Sequence, residues 1–199
     1  MPNSLDPVLA RRVKLIGFDV DGVLTDGGVY IGRVGDHGAE FKRFDIQDGV
    51  GIRLLRSAGL PVVFVSGRVS EATTLRAREL EVDELVQDDA ARKLPAFQAI
   101  LARRRLTFAD CAFAGDDLPD LPLLTRVGLP IAVANAVAEV RAAAVWQTAT
   151  PGGHGAVREI AETLLRAQGR WDEQLRRYLV ERGEEGERLD AGIRATGSR

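Results

Sequence analysis

Asp19 and Asp21 stand two residues apart, directly after an apolar run at residues 13–18 (VKLIGF) and just before Gly22. Two carboxylates delivered together at the exit of a buried strand suit a metal-assisted attack on phosphorus. One attacks as nucleophile while its neighbour handles a proton. Further groups recur at comparable places. Ser66, Gly67 and Arg68 follow the run 61–65 (PVVFV), Gly115, Asp116, Asp117 and Asp120 follow 111–114 (CAFA), and Lys93 opens a helical pattern between them.

Each piece alone is ordinary. Paired aspartates or Ser-Gly-Arg commonly form a solvated turn, and a lone lysine at a helix start usually faces water. The ordered set is different, because an open parallel sheet gathers its ligands at the carboxyl ends of its strands. A phosphate dianion is repelled by a carboxylate nucleophile, so a hard cation must lie between them. Mg²⁺ takes oxygen ligands and keeps several waters. The carboxylates of Asp19 and Asp116 and the backbone carbonyl of Asp21 are the expected ligands. The Ser66 hydroxyl, the Gly67 N–H and the Lys93 ammonium are expected on the non-bridging phosphate oxygens. Asp19 is the expected nucleophile and Asp21 the acid and base.

The elements that must position these groups follow from periodicity. Short, β-branched, unalternating runs at 13–20, 61–65, 111–114, 129–134 and 144–147 read as strands buried on both faces of a parallel sheet. Helical patterns cover 50–58, ending at Gly59, then 70–80 with Ser70 as N-cap, and 93–105. Two more cover 136–144, capped by Asn135, and 155–168. The alternation predicts an α/β fold, a doubly wound three-layer sandwich. Residues 27–45 depart from it and read as a protruding β-hairpin around a Gly-rich turn, exposing Val29, Ile31, Phe41 and Phe44. Residues 1–172 make the expected single domain. The tail 173–199 is expected to be partly mobile, with a helix over 171–182 and mobility from 183 onward.

Composition narrows the class. With 199 residues, 45% apolar and 28% charged, the chain has the makeup of a soluble globular domain. Its net charge of -2 gives no electrostatic reason to expect nucleic acid or a membrane surface. The single cysteine, Cys111, fits a reducing cytoplasm, and no apolar run is long enough to span a bilayer. Trp146 and Trp171 read as core or interface residues, and His37 as solvated.

The order of these motifs resembles that of the haloacid dehalogenase superfamily of phosphatases. The strings 18–27 (FDVDGVLTDG), 41–53 (FKRFDIQDGVGIR), 115–122 (GDDLPDLP) and 151–159 (PGGHGAVRE) are similar to a branch acting on sugar-acid phosphates. The resemblance spans residues 13–172. It implies a haloacid dehalogenase-like fold with a minimal cap and the same roles for Asp19, Asp21, Ser66, Lys93 and Asp116. It also places Asp117 and Asp120 in or near the shell behind the metal ligands. The implied substrate is the terminal phosphate of a sugar acid such as 3-deoxy-D-manno-octulosonate 8-phosphate, with a nonulosonate 9-phosphate as the alternative. The other readings are a phospho-accepting receiver and a non-catalytic sugar-phosphate binder. A receiver would carry its acceptor on a middle strand, and an intact Asp19/Asp21 pair argues for catalysis.

Two departures bear on specificity. His154 stands where the family usually has arginine, a permanent bidentate anion binder. The loop 87–92 is longer and more acidic than expected, leaving Arg92 as the fallback for Lys93. Arg68, His154 and Arg158 are the candidates for the substrate carboxylate. The gaps between motifs are too short for a lid domain, which takes at least about 50 residues. A neighbouring subunit is then expected to cover the site, and the resemblance implies a homotetramer whose hairpins meet at the centre.

Overall fold

The computed structural model describes residues 4–183. Helix α1 (Pro7–Arg12) is capped by the Asp6 carboxylate, which accepts from Val8 N at 2.7 Å, and leads into strand β1 (Leu15–Phe18). An antiparallel ribbon follows, β2 (Tyr30–Val34) with β3 (His37–Phe41). Then come α2 (Ile46–Ser57), β4 (Val62–Ser66), α3 (Glu71–Glu79), β5 (Glu84–Gln87) and α4 (Lys93–Arg104). The second half contains β6 (Cys111–Gly115), α5 (Leu121–Leu124), β7 (Leu129–Ala132), α6 (Ala138–Ala143), β8 (Trp146–Gln147), α7 (Ala156–Ala167) and α8 (Trp171–Val180).

Six strands form one parallel sheet in the order β5-β4-β1-β6-β7-β8. The chain winds outward from β1 through β4 to β5, then returns to β6 on the other side of β1 and winds outward again. The direction of winding therefore reverses between β1 and β6, where a crevice opens at the carboxyl ends of the strands. The central strands are apolar without alternation because helices cover both faces. Every residue of β1, β4, β6 and β7 is buried. Helix α7 packs on α2 and buries Val157, Ile160, Leu164 and Leu165 along one stripe. Burying each such side chain contributes roughly 1.5–3 kcal/mol. Phe97 of α4 meets Phe113 of β6 edge to face, with centroids 5.7 Å apart, on the opposite side of the sheet.

The predicted doubly wound sheet, its hairpin and most helices are present, with some corrections at the ends. Helix α2 begins four residues earlier than the apolar stripe suggested, because Asp45 caps it through Gln47 N at 2.7 Å. It ends as expected at Gly59, whose φ of +76° lets Leu60 N reach Leu55 O at 3.0 Å. Asn135 does not cap α6, which starts at Ala138. Its side chain instead ties two loops together, donating to Gly22 O at 3.0 Å and accepting from Gly152 N at 2.6 Å. Ser70 occupies the N-cap position of α3 without a side-chain cap bond. The predicted strand at 144–147 shortens to Trp146–Gln147.

Strand β5 escaped the sequence reading. It is half-buried throughout, with two apolar residues between Glu84 and Gln87, so an edge strand looks like loop. Trp146 and Trp171 are both core residues, and His37 is exposed. Helix α8 supplies the helix expected over 171–182. The expectation of mobility from 183 onward falls, beyond Gly183 itself, outside the described residues.

Candidate active site

Asp19 follows β1 and Asp116 follows β6, so the winding reversal sets them side by side. Asp19 is buried and its N–H is held by Ala114 O at 2.9 Å. Lys93, at the first turn of α4, reaches under the sheet edge and donates to Asp19 Oδ1 at 2.5 Å and Asp120 Oδ1 at 2.6 Å. The Lys93 side chain is 5% exposed and that of Asp120 is fully buried. Asp120 Oδ2 accepts from Asp116 N at 3.0 Å, bracing the loop that carries Asp116. That loop can close so tightly because Gly115 has no side chain: a Cβ there would stand 2.6 Å from the Asp120 carboxyl. Gly22 is constrained in the same way. Its φ is +103°, and a Cβ would meet Asp116 Oδ2 at 2.0 Å.

The electrostatics are unbalanced toward negative charge. Burial, reinforced by the neighbouring Asp120, holds the Asp19 carboxyl well above the ordinary carboxylate range despite the Lys93 ammonium. Burial and Asp120 likewise push Asp116 up to about 6. Burial works against the Lys93 charge, but Asp19 and Asp120 outweigh it and leave its pKa raised. One lysine is thus too little cation for three clustered carboxylates. Oxygens of Asp19, Asp116 and Asp120 lie within 4.8 Å of one another, and Asp116 Oδ1 is buried without a hydrogen-bond partner. An all-oxygen donor set with an orphaned buried oxygen fits a hard divalent cation.

Asp21 and the β4 exit complete the cavity. Asp19, Asp21, Gly67, Arg68, Lys93 and Asp117 are among the residues lining a space of ≈ 190 Å³. The Ser66 hydroxyl lies 3.3 Å from Asp21 Oδ2 and donates to Arg68 O at 3.0 Å. Lys93, not Arg92, points inward. Arg92 is exposed and pairs with Asp88 at 3.3 Å, and β5 takes up only Gln87 of the interval read as a long loop.

His154 and Arg158 are not among the residues lining this cavity. They line a separate cleft between α2 and α7 with Gln47, Glu162 and Arg166. The Arg158 guanidinium stacks on Trp171 at 5.5 Å, and His154 Nδ1 lies 3.4 Å from Arg43. Conversely, the sequence reading missed Lys42 and Glu40. Lys42 donates to Asp21 Oδ1 at 2.6 Å, and Glu40 accepts from Arg68 at 2.7 Å. Both lie at the hairpin's exit, where nothing in residue type or spacing says that a ribbon side chain turns inward.

The reversal of winding, the buried aspartate after the first strand, the lysine on it and the acidic loop after β6 together define a haloacid dehalogenase-like hydrolase. A family model of that description, haloacid dehalogenase-like hydrolase, matches residues 84–160. The 3-deoxy-D-manno-octulosonate 8-phosphate phosphatase KdsC of Escherichia coli K12 is 38% identical over 173 residues, covering 86% of this chain and 90% of that protein. A probable YrbI family phosphatase from Pseudomonas syringae superposes with a TM-score of 0.82 at 40% identity, over 90% of this chain and 97% of that one. The Moraxella catarrhalis 3-deoxy-D-manno-octulosonate 8-phosphate phosphatase, solved with magnesium ion, phosphate ion and KDO, gives 0.81 at 34% identity, covering 86% and 97%. This chain belongs to the KdsC/YrbI family of haloacid dehalogenase-like phosphatases.

Proposed function

We propose that this protein hydrolyses the terminal phosphate of a sugar acid, with 3-deoxy-D-manno-octulosonate 8-phosphate as the leading substrate, through an aspartyl-phosphate on Asp19. The observation that carries this reading is the buried Asp19 carboxylate at the winding reversal, braced by Lys93 and facing the Asp116 loop. The relatives' substrate supports the choice of sugar acid. Asp19, Asp116 and the Asp21 backbone carbonyl would hold Mg²⁺. When bound, the cation offsets the repulsion between carboxylate and phosphate dianion. Asp120 stands close enough to be a further ligand, but one of its oxygens is taken by Lys93 and the other by backbone N–H groups.

In the first step an Asp19 oxygen bonds to phosphorus as the ester P–O bond breaks and its electron pair stays on the sugar oxygen. Asp21, as the carboxylic acid, gives that oxygen its proton. In the second, water loses a proton to the Asp21 carboxylate as it attacks phosphorus and frees Asp19. Ser66, the Gly67 N–H and Lys93 hold the non-bridging oxygens throughout, supplying donors where charge accumulates.

The cavity is smaller than the roughly 300–1,000 Å³ of pockets that enclose a whole small molecule. It suits the phosphate and leaves the sugar acid to a second surface. A neighbouring subunit of a homotetramer supplies that surface in this reading, with Arg68, His154 and Arg158 as the candidates for the sugar carboxylate. Val29, Ile31 and Phe41 on the hairpin are exposed, which supports such an assembly. Phe44 instead packs against the Arg76 guanidinium at 5.7 Å. No helix among the described residues is long and apolar enough to cross a membrane, and a lone buried cysteine suits the cytoplasm.

The test is phosphate release from a panel of sugar-acid phosphates with and without Mg²⁺. Turnover is expected on the eight-carbon acid and lost on chelation. Asp19→Asn is expected to lose turnover while keeping its circular dichroism spectrum. Turnover on no panel member, or an active Asp19→Asn variant, would refute the proposal.

A further inference from the structure

The hairpin strands are largely exposed to solvent, yet the hairpin's exit buries one ammonium group. β2 and β3 contain no fully buried residue, whereas the Lys42 side chain, one position past β3, is 3% exposed. Taking an ammonium out of water is unfavourable unless it is paired and hydrogen-bonded, so its partners show what it is for. Lys42 donates to Asp21 Oδ1 at 2.6 Å and to Thr73 Oγ1 of α3 at 3.2 Å, and Glu40 Oε1 lies 3.7 Å away. The other Asp21 oxygen faces the Ser66 hydroxyl at 3.3 Å. Asp21 is therefore held at Oδ1 by the hairpin's ammonium, while its Oδ2 lies beside the Ser66 hydroxyl of β4. Lys93 pairs with Asp19 and Asp120, so the two buried lysines divide the two aspartates between them.

We propose that Lys42 is a positioning residue for Asp21. It holds the Asp21 side chain toward the cavity in the orientation needed to meet the leaving oxygen, and it ties that orientation to the seating of the hairpin on α3 through Thr73. This rests on the phosphatase reading, with Asp21 as acid and base. Without the tether the Asp21 carboxylate, 23% exposed, is free to turn to solvent. The loss then falls on proton delivery, while phosphate binding by Ser66, Gly67 and Lys93 is untouched.

Leaving-group dependence isolates this role. An alkyl sugar phosphate needs its leaving oxygen protonated, whereas p-nitrophenyl phosphate leaves as a stable phenolate. The experiment measures single-turnover P–O cleavage by the full chain with Mg²⁺ on both compounds, for the wild type, Lys42→Met and Lys42→Arg. Lys42→Met is expected to slow alkyl phosphate cleavage about 100-fold, the lower end of general-acid contributions, and p-nitrophenyl phosphate cleavage less than about threefold. KM should hold for both compounds, and Lys42→Arg should recover part of the loss. Equal slowing on both compounds would overturn the role, as would a raised KM with cleavage unchanged, which would put Lys42 on the substrate itself. A wild type that cleaves neither compound would overturn the underlying phosphatase reading instead.

Discussion

At Gly22 a single added carbon decides whether Asp116 can keep its place. A Cβ there would stand 2.0 Å from the Asp116 carboxylate, on a backbone whose φ of +103° disfavours any L side chain. Gly22→Ala is expected to displace Asp116 and weaken Mg²⁺ affinity about 10–100-fold, the usual cost of disturbing what orients a metal ligand. Calorimetric titration with Mg²⁺ checks this, and unchanged affinity would remove Asp116 from the ligand set. The string 18–27 made Gly22 visible in the sequence, but not its reason. That reason is a carboxylate 94 positions later in the chain, brought against it by the reversal between β1 and β6. Lys42 was illegible for the same cause. A lysine on a ribbon reads as solvated until the fold shows which side it faces.

Between elements, the α2–α7 contact contains a buried acid that the catalytic motifs do not account for. Asp48, in the first turn of α2, is 1% exposed and accepts from Arg158 N at 2.8 Å, so it caps α7 from a neighbouring helix where Gly155 offers no side chain. Its Oδ2 is buried without a partner, and burial pushes its pKa up from 3.8 to about 6. Unfolded, this carboxyl gives up its proton near 3.8; folded, it keeps it to about 6. Across that window the native state binds more protons, so its contribution to stability is full below the window and falls as pH rises through it. The loss is about 3 kcal/mol by the size of the shift. Comparing the wild type with Asp48→Asn by urea unfolding at pH 4 and pH 6.5 isolates this term. The wild type should lose stability relative to the variant as pH rises; a parallel pH dependence would show that Asp48 does not titrate as inferred. Helix periodicity predicted both helices, but the cap between them joins residues 110 positions apart and has no local signature.

For the whole molecule, the hairpin sets the question of assembly. Ile31 is 81% exposed and lies on the same ribbon as Val29, Val34 and Phe41, all more than two-fifths exposed. By the pairing Tyr30↔Phe41 and Ile31↔Glu40, Val29 and Ile31 lie on one face of the ribbon and Val34 and Phe41 on the other, so both faces expose apolar surface that favours association. If hairpins meet at the centre of a homotetramer, Ile31→Asp is expected to yield a monomer by light scattering and to raise KM for the sugar-acid phosphate. Turnover of a small phosphate such as p-nitrophenyl phosphate should suffer less, since its binding relies on the cavity within one chain. A wild type that is already monomeric at micromolar concentration would refute the shared-site model.

The sequence by itself determined the order of the sheet strands other than β5, the longer helices between them, and which strand ends deliver Asp19, Ser66 and Asp116. Those features are written in local apolar periodicity and in residue types at strand exits, both of which act over a few neighbouring positions. Tertiary structure alone decided that Lys93 rather than Arg92 reaches Asp19, that Lys42 turns inward to Asp21, and that His154 and Arg158 face a different cleft. Each of those outcomes depends on which distant segments the winding of the sheet brings together, and on whether a charge leaves water only where an opposite charge awaits it.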